Sequence, residues 1–288
     1  MPSVADAKKE LTFHREFTEL IEIIKEIAAS QFRSLESNKE ERFAKFLESF
    51  DGFFEMLGSL KVEDVFTAVM SDVTGLILVT SDEGFMGGLN SKVIHAGLEK
   101  TQNEKRNIIV VGEQGANYLK DLKLEYTAFP GVAPEERYER AVALKDFIAG
   151  EVLKKKMGRV FVAYPKPVSL TAQTGEVTAL LPFTEASIRK ETEPAHDDKD
   201  RRVIMESSLK GIMDYLAGMW MTYKLYNIFE DSKLAELSAR MMSLEESYGA
   251  LSQKEEVLQH RYFRAYHEMV DKGMREIFAS KLLSGRNL

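Results

Sequence analysis

The sequence predicts an α/β chain: a long antiparallel coiled coil of N- and C-terminal helices with an inserted α/β domain. Three observations predict it. Ala195 to Leu288 contains no proline, and its apolar residues step by threes and fours, the spacing of a coiled-coil seam. Residues 4–60 also lack proline and carry the same helical periodicity. The stretch between them is rich in glycine and β-branched residues and alternates strand-like with helix-like runs, the pattern of an α/β layer.

The first helix shows apolar residues at Phe13, Phe17, Leu20, Ile24 and Ile27, which reads as its seam, and the pattern returns at Phe43, Phe46, Phe50, Phe53, Leu57 and Leu60. Gly75 to Thr80 is a continuous apolar run, typical of a strand covered on both faces. A glycine-rich turn leads to a helix over Ser91–Lys100, a second buried strand over Asn107–Gly112, and a short helix over Gln114–Leu122. A third strand is expected over Leu124–Phe129. Pro134 stands where a first helical turn tolerates proline, opening a helix to about Lys156. Gly158–Tyr164 is another strand, and Thr174-Gly175 reads as a hairpin turn between Val168–Gln173 and Glu176–Leu181. This alternation makes the middle domain Rossmann-like. Glu191–Arg202, with Pro194 and mixed charges, reads as a linker.

The last helix carries its seam at Leu209, Met213, Leu216, Trp220 and Tyr223, then Leu234, Leu237, Met241, Leu244, Tyr248 and Leu251, then Leu258, Tyr262, Ala265 and Met269. At ~1.5 Å per residue, Leu209 to Met269 spans roughly 90 Å, more than a domain of this size can bury. The two terminal helices answer each other's need for a partner, because the domain between them returns the chain to its start. The expected divisions are residues 1–72, 73–190 and 191–288. Asn227, Glu230 and Glu255 interrupt the seam. They either fix its register or mark where the helix meets other surfaces.

A formal net charge of −7 gives no broad attraction to nucleic acid or anionic lipid. The absence of cysteine excludes disulfides, thiolate metal sites and a cysteine nucleophile. The opening MPSVADAKKELTF lacks the layout of a signal peptide. No apolar run is long enough to cross a bilayer, so no direct membrane insertion is expected, although a place beside a membrane within a complex is compatible.

Ser81 to Asn90, SDEGFMGGLN, follows a predicted strand and opens a predicted helix, the place of a phosphate-cradling loop. Its spacing matches neither G-x-G-x-x-G nor G-x-x-x-x-G-K-[ST]. A tight turn, with Gly84, Gly87 and Gly88 supplying unusual angles or close packing, accounts for it more simply. His14, His95, His196, His260 and His267 include no H-E-x-x-H and no i, i+4 pair. No G-x-S-x-G elbow is present, and the acidic pairs Asp197-Asp198, Glu245-Glu246 and Glu255-Glu256 read as surface charge. No catalytic, cofactor-binding or metal-ligating set is expected.

Several segments resemble the gamma subunit of F-type rotary ATP synthases. SDEGFMGGLN resembles that family's S-D-x-G-L-C-G-G-L-N, with Phe85 for leucine and Met86 for cysteine. Asp231 to Met241, DSKLAELSARM, resembles E-S-x-x-S-E-x-x-A-R-M, matching at Ser232, Glu236, Ala239, Arg240 and Met241. Lys25 to Arg33 resembles K-M-V-A-A-S-K-L-R, and Gln173, Leu180 to Phe183 and Glu193-Pro194 also fall at family positions. The matches run in order along nearly the whole chain.

The resemblance implies a central-stalk rotor without an active site or cofactor of its own. Its implied partners are the alpha and beta subunits of a catalytic hexamer, an epsilon subunit and a membrane ring, on the cytoplasmic face of the cell membrane. By the same resemblance Ile24, Glu236, Arg240, Tyr266, His267 and Asp271 contact the hexameric ring. The chain departs from the family in two places. Residues 1–60 hold eight Lys or Arg against twelve Asp or Glu, where the family's first helix is usually basic. Tyr266, His267 and Asp271 stand where the family has the arginine, glutamine and threonine of a polar catch against the ring. A gamma-like paralogue in an assembly that does not synthesise ATP, and a nucleotide-binding α/β enzyme, stand as alternatives.

Overall fold

A computed structural model describes residues 3–37, 69, 71–169, 171–182 and 209–284. The predicted seam at 43–60 and the linker at 191–202 lie outside the described residues, as do the side chains of Leu209 and Met213. Two compact units are present: Ala29–Arg240, and Met1–Ala28 together with Met241–Leu288. Helix α1 (Val4–Glu36) and helix α5 (Leu209–Ser284) each contribute residues to both units.

The larger unit is built on a five-stranded sheet of order β3-β2-β1-β4-β5. Its elements are β1 (Thr74–Val79), α2 (Leu89–Lys100), β2 (Arg106–Val111), α3 (Glu113–Asp121), β3 (Thr127–Phe129), α4 (Arg137–Leu153), β4 (Arg159–Ser169) and β5 (Ala172–Leu181). The first four strands are parallel and β5 is antiparallel to β4. All six residues of β1 are buried, as its uninterrupted apolar run requires. Alternate side chains go to opposite faces. Ile77, Val79, Ile109 and Val111 pack against α4 and the Trp220–Phe229 part of α5. Leu76, Leu78, Ile108 and Val110 pack against residues of α2 and α3. Arg106 donates from Nη1 to the Leu98 carbonyl at 3.2 Å, satisfying an end group of α2.

Two local expectations are corrected. The hairpin turn is not at Thr174-Gly175: these residues lie inside β5, paired with Lys166 and Pro165. Pro165 and Pro167 are accommodated in β4 because its pairing with β1 ends at Ala163, so beyond that point one edge of β4 needs no donor from them. Helix α4 starts at Arg137 rather than at Pro134, after a turn in which the Glu136 amide donates to the Ala133 carbonyl at 3.1 Å.

In the smaller unit α1 and α5 run antiparallel, tied by the ion pairs Glu10–Arg261, Arg15–Glu255 and Lys25–Glu245. On α5, Leu244 and Leu258 are buried and Met241, Tyr248, Leu251, Tyr262 and Ala265 half-buried, which follows the predicted seam; Met269 is exposed. On α1 the predicted seam is wrong. Phe13 is 66% exposed, Phe17, Leu20 and Ile27 are also exposed, and Ile24 is half-buried. The seam is formed by Ala7, Leu11, His14, Thr18, Ile21 and Ala28. Two heptad stripes about 100° apart compete on this helix, and hydrophobicity alone favours the bulkier one. The stripe that packs carries small residues, which let the helix backbones approach, and two polar ones. Since Glu10 faces Arg261 and only Val4–Lys9 of α1 remain beyond it, roughly the last five turns of α5 outrun α1.

Candidate functional site

The strand order reverses at β1: β2 and β3 lie on one side of it, β4 and β5 on the other. In such sheets ligands bind beyond the carboxyl end of the strand where the order reverses. Here that position belongs to the Ser81–Asn90 loop, and the chain itself fills it. Asp82 Oδ1 accepts the Glu113 amide at 2.9 Å, the Ser81 carbonyl accepts the Gln114 amide at 3.0 Å, and Thr80 Oγ1 accepts the Gly115 amide at 3.1 Å. The first amides of α3 are thus satisfied internally, with a carboxylate where a phosphate would rest. Gly112 (φ 101°) makes this approach possible, since a Cβ there would lie 2.4 Å from the Thr80 carbonyl oxygen.

The loop is braced from within. Asn90 Nδ2 donates to Ser81 Oγ at 2.9 Å, and Ser81 Oγ donates to the Glu83 carbonyl at 2.9 Å. Gly87 takes φ 56° and Phe85 φ 64°, an uncommon angle for a bulky residue, and the Phe85 ring is exposed. Met86 and Leu89 turn the other way and form a buried cluster with Ala235 and Ala239 of α5.

Arg240 Nη2 lies 2.6 Å from Glu83 Oε2 and 2.7 Å from Glu236 Oε1, and Lys233 Nζ lies 2.8 Å from the same Glu236 oxygen. Two cations and two carboxylates therefore balance, which is what allows Arg240 and Glu236 to be buried. Nearby, Gln173 Nε2 donates to the fully buried Ser238 Oγ at 2.7 Å. Glu230 is buried against Arg137 at 3.0 Å and also accepts the Tyr226 hydroxyl at 3.3 Å. The seam breaks thus have distinct roles: Glu230 pairs with Arg137, Glu255 with Arg15, and Asn227 buries an Nδ2 without a hydrogen-bond partner among the described residues.

Of the residues expected to touch a ring, Glu236 and Arg240 are brought together and committed to this internal network. Ile24 is half-buried on α1. Tyr266, His267 and Asp271 are exposed on α5, where Tyr262, Tyr266 and His267 form a chain of ring contacts with centroids 6.2 and 6.1 Å apart. The sequence reading missed Glu83, Asp82 and Arg137. The i, i+4 spacing of Glu236 and Arg240 is visible in the sequence, whereas Glu83 reaches Arg240 only through the fold. An open cleft of about 460 Å³ beside Asp72, Glu104, Lys105 and Arg159 presents mixed charges, with Glu104 already held by Arg159 and Thr74. Among the described residues no group of three His, Asp or Glu is placed to hold a metal ion, and no helix is long and apolar enough to cross a membrane.

Comparison with known proteins agrees with this architecture. The chain is 25% identical over 255 residues to the ATP synthase gamma chain of Clostridium acetobutylicum, covering 87% of each. It is 21% identical over 290 residues to that of Maridesulfovibrio salexigens, covering 96% of this chain and 97% of the relative. A chain in the OSCP/F1/c-ring structure of Euglena gracilis mitochondrial ATP synthase superposes with a TM-score of 0.64 over 99% of this chain and 96% of its own length, at 12% identity, a likeness of fold. The model of the ATP synthase family matches residues 4–281, and the chain belongs to that family, on its gamma-subunit branch.

Proposed function

We propose that this chain is the central-stalk rotor, the gamma subunit, of an F-type ATP synthase, coupling transmembrane ion flow to ATP synthesis or hydrolysis on other subunits. One observation carries the reading beyond family membership. The coiled coil leaves two apolar surfaces uncovered by its own described chain: Phe13, Phe17, Leu20 and Ile27 on α1, and Met269, Val270, Met274, Ile277 and Phe278 on the end of α5. A paired shaft with apolar flanks suits an enclosing partner, since patches of this kind mark interaction sites. In this reading the chain acts without an active site: the Asp82 carboxylate takes the sheet's ligand position, and the chain's role is to transmit displacement.

In this reading the partners are the alpha and beta subunits of a catalytic hexamer, an epsilon subunit and a membrane ring, with the assembly peripheral on the cytoplasmic face. Residues 1–72 and 191–288 form the shaft and 73–190 the domain it carries. Ile24, Tyr266, His267 and Asp271 face the hexamer directly, and Glu236 and Arg240 act there through the loop they hold. An asymmetric shaft in a near-threefold ring stabilises a different state at each catalytic site and so couples rotation to nucleotide affinity. Co-expression with cognate alpha and beta subunits tests this. The chain should co-purify in an assembly whose nucleotide hydrolysis depends on it; an active assembly that excludes the chain would overturn the reading.

A further inference from the structure

Residues 234–240 of α5 are buried without exception, although this is neither an apolar segment nor the middle of the sheet's core. A helix buried on every face is gripped from several sides. At about 100° of turn per residue, the positions Ser238, Ala235, Ala239, Glu236 and Arg240 cover roughly 200° of the circumference, and Glu230 lies on the remaining arc. Different parts of the α/β domain engage these positions. The Ser81–Asn90 loop supplies Met86 and Leu89 to the alanines and Glu83 to Arg240. Strand β5 supplies Gln173 to Ser238, and α4 supplies Arg137 to Glu230.

We infer that Glu230–Arg240 is a keyed joint that fixes α5 against rotation about its own axis within the α/β domain, so that torque passes between helix and domain here. The inference rests on the rotor reading. Apolar packing alone resists separation well but resists rolling poorly, because one aliphatic contact replaces another as the helix turns. Directional polar contacts are lost on rolling, and buried partners left behind are costly. Three such contacts around one helix oppose rotation in either sense. The Arg137–Glu230 and Gln173–Ser238 keys are inside the fold. Glu83 is the outer key, its side chain 68% exposed while its partner Arg240 is buried, and it can be altered without opening the core.

The test uses Glu83→Ala with Ser238→Ala, which removes two keys and leaves the apolar contacts in place. With the catalytic hexamer anchored, a bead is attached to the α/β domain through Val168→Cys, an exposed position in a chain that has no other cysteine. Nucleotide hydrolysis by the assembled complex should continue while the load that stalls the bead falls relative to the same complex with intact keys. In the chain alone, hydrogen exchange at the amides of Leu89 and Lys92 should become about fivefold faster per key removed, the equivalent of one ordinary hydrogen bond. An unchanged stalling load, or unchanged exchange, overturns the joint. If the bead fails to turn even with intact keys, the rotor reading itself fails, and the exchange measurement still decides whether the keys hold the loop to α5.

Discussion

The sheet-bearing unit and the coiled-coil unit are stabilised in opposite ways. The first encloses two apolar clusters, one on each face of its sheet, and its main buried charges, Arg137–Glu230 and Arg240–Glu236, are paired. The second places His14 and Thr18 in its seam, turns two phenylalanines outward and ties its helices with ion pairs at the margin. The first buries every residue of its central strand β1, and the second leaves large apolar side chains exposed on both of its helices. The difference teaches that apolar periodicity reports the number of partners a helix has, and not only its partner within the chain.

The sharpest way to break the comparison is to unbalance a charge in the sheet-bearing unit. Arg137→Met leaves Glu230 buried beside Tyr226 alone and should cost about 3–5 kcal/mol in urea unfolding. Arg137→Met with Glu230→Leu should recover most of that loss; failure to recover would show that the pair is needed for more than charge balance. The coiled-coil unit should respond in the opposite sense to an apolar substitution. His14 buries an Nδ1 with no partner among the described residues, so His14→Leu should stabilise the helix pair by about 1 kcal/mol in thermal melts followed by circular dichroism.

The outward stripe should be nearly silent in the free chain. Phe13→Ser with Phe17→Ser should alter stability by less than about 0.5 kcal/mol while weakening retention of the chain in the assembled complex. Equal loss in both settings would mean that the stripe packs inside the chain. The smallest effect concerns Lys25, whose ammonium is held above its ordinary pKa chiefly by its hydrogen bond to Glu245. Because the folded-state value is raised, the pair contributes fully below the ordinary lysine pKa and its contribution is lost as pH rises through the raised one. Lys25→Met should therefore be slightly less stable than the parent at neutral pH, with the gap closing only in strong alkali.

The sheet was legible because its signals are local. GLILVT and NIIVVG are buried strands whatever surrounds them, and both are seen. The turn at Thr174-Gly175 misled because a glycine pair with threonine is also compatible with a strand interior when a neighbouring helix approaches closely: a Cβ on Gly175 would lie 3.0 Å from the Lys92 carbonyl oxygen. The α1 seam misled because two stripes share one helix, and choosing between them requires the opposite helix. At the candidate site, the ordered resemblance located both the loop and the Glu236–Arg240 segment. That these segments meet, with Glu83 and Asp82 as the connecting charges, depends on long-range packing that no spacing rule encodes.

Asp82 has a consequence for the energetics of the whole molecule. Its carboxylate occupies the helix end from which an α/β sheet of this topology usually draws anion affinity, so a phosphate arriving there meets a like charge and amides already engaged. The place where such a sheet would hold an anion is taken by the chain's own side chain. On the rotor reading, free energy from nucleotide chemistry then enters this chain only as motion of the paired helices α1 and α5, and the sheet is part of the load which that motion turns.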